Sequence, residues 1–527
     1  MDKMLFAENL FKLRKRAGLS QEKLAEAFGV SRQAVQKWEN GTSLPGSEKI
    51  TEIAKFFDVS LDYLTLGKDN REIEELRTGQ KILPSYNLHP WEAYYKEMPV
   101  EYQQSFEEGK DIERYKKLMY AVADMPDGKE KSDIADVIFG IIGNLPQRKD
   151  YPYEEPSDLE GIMNCSEKST YQFKRQSAKM LEDRIKGGWF GRICGCLLGK
   201  PVEGMSRSEL TAFLKATDNY PMKRYITQSD TKNVESLKLS FPIDKRAYID
   251  GKMDGMPVDD DTNYIMMAYL LIKNHGKEFT PSDDAEHWLW NQPKNAYCTA
   301  ERVAFRNFVN GYYPPDSANY KNPYREWIGA QIRGDYFGWI SPGNPGKAAQ
   351  LAWKDACISH VKNGIYGEMW VAAMLAAAEG GAGIEESIKI GMAYIPKKSR
   401  LHEALENVLT FYDSGKTSDE FFEDFHSRWD DTNGHHWCHT ISNAEIVAAS
   451  LLWGKGNYEK SICLAVQQGF DTDCNGATVG SVVGVSIGFK EIPAIWTDKI
   501  SDTLFTTIFN HEKVSVSEMA KKTMEML

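Results

Sequence analysis

The stretch Gln468–Gly488 reads QGFDTDCNGATVGSVVGVSIG. Asp471 and Asp473 flank a hydroxyl, Thr472. They lead into an uncharged run, Asn475 to Phe489, in which Gly476, Gly480, Gly484 and Gly488 recur every four residues. Residues four apart share one face of a helix, and glycines along a face let another backbone come close. The run is shorter than the roughly 18–20 apolar residues of a membrane span. It therefore predicts a buried helix whose first turn presents two aspartates. Paired carboxylates are the hard oxygen ligands that Mg2+, Mn2+ or Ca2+ prefer. Two aspartates that merely cap a core helix would give the same letters.

A second acidic cluster, Asp259-Asp260-Asp261-Thr262, stands just before NYIMMAYLLI (263–272), which has the apolar content of another buried helix. Three consecutive aspartates repel one another unless solvent or a cation screens them. Two such clusters at two helix starts are what a two-metal carboxylate site requires.

At 527 residues the chain should hold more than one domain, at roughly 100–200 residues each. Its net charge of −12 excludes a polycation that coats nucleic acid, so any DNA contact must be local. The opening MDKML is no secretion signal, and no transmembrane run is visible, so no membrane partner is expected. The eight cysteines contain no C-x-x-C pair. They read as reduced thiols of a cytoplasmic protein.

Residues 1–67 form a self-contained unit. Leu5, Leu10, Leu13 and Ala17 mark a first amphipathic helix. Ser20 can cap a helix over 21–28, Gly29-Val30 turns the chain, and Ser31 can cap a helix over 32–39. A helix over 47–57 and a short one over 59–64 follow. Helix, short turn with glycine, helix is the helix-turn-helix pattern. Arg32, Gln33, Gln36 and Lys37 are the exposed polar residues of the second helix, with Ala34, Val35 and Trp38 in the core. The segment SQEKLAEAFGVSRQAVQKWENG (20–41) resembles the Cro/repressor-type helix-turn-helix family. The resemblance implies DNA as partner, with that second helix in the major groove and Arg32, Gln33, Gln36 and Lys37 at base edges. Gln21, Lys12, Arg14, Lys15 and Arg16 would meet phosphates, and a homodimer on a palindrome is expected. A protein–protein module on the same scaffold is the alternative.

Residues 68–99 read as a linker. Residues 100–182 read as a helical leader packed on the domain that follows, with an aromatic, proline-rich strap at 150–159. From about residue 183 to 527 the chain resembles the ADP-ribosylglycohydrolases, including the dinitrogenase reductase-activating glycohydrolases. The matching blocks are GGWFGRICGCLLGKPVE (187–203), Asp259–Thr262 and 469–480, in the family's order. The resemblance implies an all-α domain, and sparse strand signals agree. It also implies two Mg2+ ions, or Mn2+, in a cleft between Asp260 and Asp261 in front and Asp471 and Asp473 behind. Asp259 and Cys474 stand where the family has threonines, and Cys196 where many members have aspartate. All three alter the ligand set, and a thiol suits Mg2+ poorly.

The implied catalytic residues are Glu203, Asp261 and Asp473. Gly343 and Asn344 resemble a family loop whose N–H groups take a phosphate or ribose, and His360 lies in a family block near the cleft. His436 and Trp437 read as a cleft rim touching adenine or ribose; a zinc set of His435, Cys438 and His439 is the other reading of that segment. The expected activity is hydrolysis of a bond between ADP-ribose and a protein or small-molecule acceptor. The rival is a transcription regulator that senses ADP-ribose without turnover. In a third reading the first domain only tethers the enzyme.

Overall fold

The structure, a computed structural model, describes residues 3–57, 59–66, 89–231, 237, 239 and 253–527. Two compact units emerge, Met1–His89 and Pro90–Leu527. The first holds helices α1 (Lys3–Arg16), α2 (Gln21–Ala27), α3 (Arg32–Glu39), α4 (Ser47–Phe56) and α5 (Leu61–Leu66). Both expected caps form: Ser20 Oγ accepts from Lys23 N–H at 3.1 Å and Ser31 Oγ from Ala34 N–H at 3.2 Å, each worth about 1 kcal/mol. Phe6, Leu10, Leu24, Val35, Ile53 and Leu64 close the core.

The expected linker, 68–99, lies outside the described residues as far as 88. Its last ten residues are folded into the second unit. Pro90–Glu92 and Tyr94–Lys96 form short 3-10 turns, and Tyr94 and Met98 are buried. The reason lies 200 residues away. Lys294 Nζ meets the buried Glu92 carboxylate at 2.6 Å, and Arg306 donates to the Glu92 carbonyl at 2.6 Å. The leader continues with α6 (Met98–Glu107) and helices Lys116–Ala123 and Lys129–Gly143, which share a small core of their own around Tyr102, Met119 and Ile138. The strap then runs against the body. Glu154 N–H donates to Lys398 O, Trp353 Nε1–H to Ser157 O and the Tyr366 hydroxyl to Pro156 O.

Among the described residues the body is helical apart from one antiparallel hairpin, Thr503–Phe505 with Lys513–Ser515. Four helices position the site: α7 (Ala178–Gly199), α8 (Asp260–His275), α9 (Thr440–Gly454) and α10 (Thr472–Ile487). The glycine face of α10 meets a matching face of α7. A Cβ on Gly187, Gly191, Gly195 or Gly199 would lie 2.2, 2.2, 1.9 or 2.2 Å from the carbonyl oxygens of Gly484, Gly480, Gly476 or Thr472. The descending order makes the two helices antiparallel, backbone on backbone. Among the described residues, no helix is long and apolar enough to cross a membrane.

Candidate metal and cleft site

The α7–α10 seam ends where both acidic clusters meet. Gly199 closes α7, a 3-10 turn covers Lys200–Val202, and Gly204 at φ 80° turns the chain so that Glu203 faces outward. Opposite, Gly469 and Phe470 both adopt left-handed backbone, φ 75° and 58°, immediately before Asp471. For a buried phenylalanine that conformation stores on the order of 1–3 kcal/mol. Asp471 occupies the N-cap of α10, yet its side chain makes no capping bond. Its backbone is held instead by Asn443 Oδ1, which accepts from Asp471 N–H at 3.3 Å and from Asn475 Nδ2–H at 2.8 Å. The carboxylate is therefore not a cap. At α8 the outcome is the reverse. Asp259 Oδ1 accepts the Asp261 N–H at 3.0 Å as a cap, and Asp259 Oδ2 takes Lys200 Nζ at 2.6 Å.

Ligand atoms of Glu203, Asp471 and Asp473 lie within 4.8 Å of one another, as do those of Asp261, Asp473 and Cys474, and of Cys196, Asp259 and Asp261. Asp260 belongs to none of these groups and sits against the Cys298 thiol. From below, Arg192 on α7 clamps Asp261. Its guanidinium reaches Asp261 Oδ1 at 2.9 Å and the Asp261 carbonyl at 2.9 and 3.0 Å, with Asp335 at 2.9 Å on the other side. Asp261 Oδ2 is buried without a partner.

Mutual repulsion shows in the protonation preferences. The Asp473 charge, then burial, lifts Glu203 well above the usual carboxylate range. Burial, then Asp259, pushes Asp260 to about 7. Burial raises Asp471 and Asp473 as well. For Lys200, burial disfavours the ammonium, but Asp259 and Asp473 outweigh it and hold the charge. The Cys196 and Cys474 thiols are pushed up by burial and then by the carboxylates.

A cleft of about 790 Å³ opens over Glu203. Trp91 and Trp437 line it with Ser206, Ser208, Glu209, Asp431 and Thr432. Trp91 comes from the folded end of the expected linker, and the Arg302 guanidinium lies 5.0 Å from its ring. Sequence reasoning missed Trp91, Lys200 and Arg192; the latter two stood inside the quoted block 187–203.

Several expected site residues lie elsewhere. The Gly343 and Asn344 N–H groups are engaged by Ala376 O at 2.8 Å and Ser341 O at 2.9 Å, so no phosphate cradle is open there. Gly343 packs against Phe173 and Gly380 instead. His360 is buried, pairs with Ser359 Oγ at 2.8 Å and borders a separate cavity with Trp353 and Cys357. His436 accepts from Asp430 N–H at 3.2 Å and meets Gln103 at 3.0 Å, so it joins the leader rather than the cleft rim.

The zinc set is not assembled either. Cys438 Sγ faces Asp471 Oδ2 at 3.7 Å. His435 Nδ1 accepts from Trp327 Nε1–H and His439 Nδ1 from Ile441 N–H, both at 3.1 Å. Each neutral ring thus carries its proton on Nε2, where a metal would have to bind. Those Nε2 atoms point at Glu107 Oε2 of the leader, at 3.1 and 3.8 Å. Burial alone would raise the Glu107 carboxyl; His435 and His439 bring it to about 2.

In the first unit Arg32, Gln33, Gln36 and Lys37 are exposed on α3. Arg14 is not a phosphate contact. It is buried, bonded to Glu39 at 2.5 and 2.9 Å, and Gln21 shares Glu39 at 2.7 Å.

Residues 177–525 match the family model described as ADP-ribosylglycohydrolase, and residues 10–64 the model described as Helix-turn-helix. The chain is 39% identical over 84 residues to the HTH-type transcriptional activator BcrR of Enterococcus faecalis, covering 16% of this chain and 41% of that protein. It is 38% identical over 69 residues to the uncharacterized HTH-type transcriptional regulator YqaE of Bacillus subtilis (strain 168), covering 13% and 60%. The chain therefore spans less than two thirds of the length of these relatives. A solved "ADP-ribosylglycohydrolase-related protein complex" is similar over 66% of this chain and 98% of its own, at 20% identity and a TM-score of 0.41. With the two acidic helix starts, the preceding glutamate and a family match over most of its length, this chain belongs to the ADP-ribosylglycohydrolase family and carries an N-terminal helix-turn-helix domain.

Proposed function

We propose that the chain hydrolyses the glycosidic bond joining ADP-ribose to an acceptor, with a divalent cation held by Glu203, Asp471 and Asp473. The observation that carries this reading is the meeting of those three carboxylates at the wall of a cleft bordered by two tryptophans. An oxygen-only set suits Mg2+ or Mn2+, and the unpartnered Asp261 Oδ2 beside it fits a missing positive charge. A cation bound there would supply Lewis-acid stabilisation and lower the pKa of a water.

The chain's own residues account for the proton. Glu203, facing the cleft, would take a proton from the water whose oxygen bonds to C1″ and pass it to the departing acceptor atom as the bond to C1″ breaks. Trp91 and Trp437 offer ring faces for a base. Among the described residues the lining includes Glu203, Glu209 and Asp431 but no lysine or arginine, so a bound cation would be the positive charge that faces a diphosphate there.

The test is ADP-ribose release from ADP-ribosyl-arginine with Mg2+ or Mn2+, beside the Asp471→Ala, Asp473→Ala double variant. Release that disappears in the variant supports the hydrolase. The helix-turn-helix domain and its regulator relatives favour a second reading, in which the cleft senses ADP-ribose and tunes DNA binding. Binding without release, with a ligand-dependent change in DNA affinity, would select it.

A further inference from the structure

We propose that this site takes one divalent cation, not two, because the Lys200 ammonium stands in for the second. The inference rests on the metal-binding reading above and specifies its stoichiometry. It follows from which carboxylate oxygens are still open.

At the front, both oxygens of Asp259 are engaged, Oδ1 by the Asp261 N–H and Oδ2 by Lys200 Nζ at 2.6 Å. The side chains of Lys200 and Asp259 are 10% and 1% exposed, so this pair is sequestered from water. Asp261 Oδ1 is taken by Arg192. Asp260 is turned toward Cys298. What remains there is Asp261 Oδ2 and the Cys196 and Cys474 thiols, a mixed set that suits a hard cation poorly. A second ion would have to displace the ammonium and leave a buried charge without its partner, which is strongly unfavourable.

The rear half is more open, although Asp473 Oδ1 accepts the Cys474 N–H at 3.1 Å and Asp471 Oδ2 faces the Cys438 thiol at 3.7 Å. Asp471 makes no capping bond, Glu203 is solvent-exposed in the cleft, and all three ligands are oxygens. Asp473 is the hinge between the halves, grouped with Glu203 and Asp471 on one side and with Asp261 on the other. A cation held by Glu203, Asp471 and Asp473 would therefore share Asp473 with a front half whose Asp259 is already paired with the Lys200 ammonium. The charges are matched within this chain: the Lys200 ammonium cancels the Asp259 carboxylate.

The experiment is a Mn2+ titration of the full-length protein, read by electron paramagnetic resonance and by metal content after desalting. The expected result is one Mn2+ per chain with an uncoupled six-line spectrum. Lys200→Met should raise the content to two, with a spin-coupled spectrum, whereas Lys200→Arg should stay at one. Two coupled ions in the unaltered protein would overturn the inference and leave the hydrolase reading intact. No bound ion would overturn both. One ion in folded Lys200→Met would show that the ammonium is not what excludes the second, and would also overturn it. If Lys200→Met does not fold, the unaltered protein and Lys200→Arg still decide.

Discussion

Two seams run through the larger unit, and they are built from opposite materials. Helices α7 and α10 meet through glycines, with no side chain between carbonyl and Cα. The leader meets the body through buried charge. Arg325 is clamped by Glu101 and Glu108, Arg400 by Glu155 and Glu326, and Glu107 by two histidines. The first seam lies wholly within the segment that matches the family, and the second attaches residues that precede it. Backbone contact leaves nothing to adjust, so it suits the place where carboxylates must be held at fixed separation. Ion pairs have directional partners but flexible stems, so they suit the attachment of an additional layer.

The largest expected effect is at the glycine seam. A Cβ at Gly195 would sit 1.9 Å from the Gly476 oxygen, and neither helix can yield without moving Asp473. Gly195→Val should cost more than the roughly 1–3 kcal/mol of ordinary overpacking and abolish metal binding, as read by denaturant unfolding and Mn2+ content. Next is Arg325→Met, which strands two buried glutamates. It should cost about 3–5 kcal/mol, but the Mn2+ content should survive. Equal metal loss in both variants would break the distinction between the seams.

The seams should also respond to pH with opposite sign. Glu107 is held at about 2 in the folded leader seam, below the ordinary glutamate value of 4.5. Its contribution is present above 4.5 and lost as pH falls toward 2. Asp260, at the end of the glycine seam, is raised from 3.8 to about 7. The metal-free fold therefore binds protons that the unfolded chain releases, and stability there is lost as pH rises through that range. Hydrogen exchange should show α6 opening first on acidification. The start of α8 should loosen above pH 7 unless Mg2+ is added. The smallest effect should come from Glu107→Gln, which removes the charge but keeps an acceptor for the His435 Nε2–H. A loss of about 1.5–3 kcal/mol is expected, measured by thermal unfolding at pH 7.

What could be read from the sequence was local or periodic. Ser20 and Ser31 cap within three residues, so α2 and α3 were legible almost to the residue. The aspartates at the starts of α8 and α10 were legible for the same reason. The partner of the α10 glycines was present in Gly187, Gly191, Gly195 and Gly199, at the same interval. The pairings that give the site its character span much longer separations. Lys200 and Asp259 are 59 residues apart, and Glu107 and His435 are 328 apart. Gly343 and Asn344 were misread because their pattern is local, whereas Gly343 N–H goes to Ala376 O. Trp91 carried no local signal, since the ion pair that folds its turn reaches Lys294.

A repeat of period four is also degenerate. Sliding α10 along α7 by one turn, about 5.4 Å, would preserve most of the glycine contacts while carrying Asp471 and Asp473 out of reach of Glu203. The glycines choose how close the helices come but not which turn faces which. That choice falls to a hydroxyl on α10 itself. Thr472 Oγ1–H donates to Gly199 O at 2.9 Å. The threonine between the two aspartates therefore works as an index pin, selecting among equivalent notches the one in which both acidic clusters coincide.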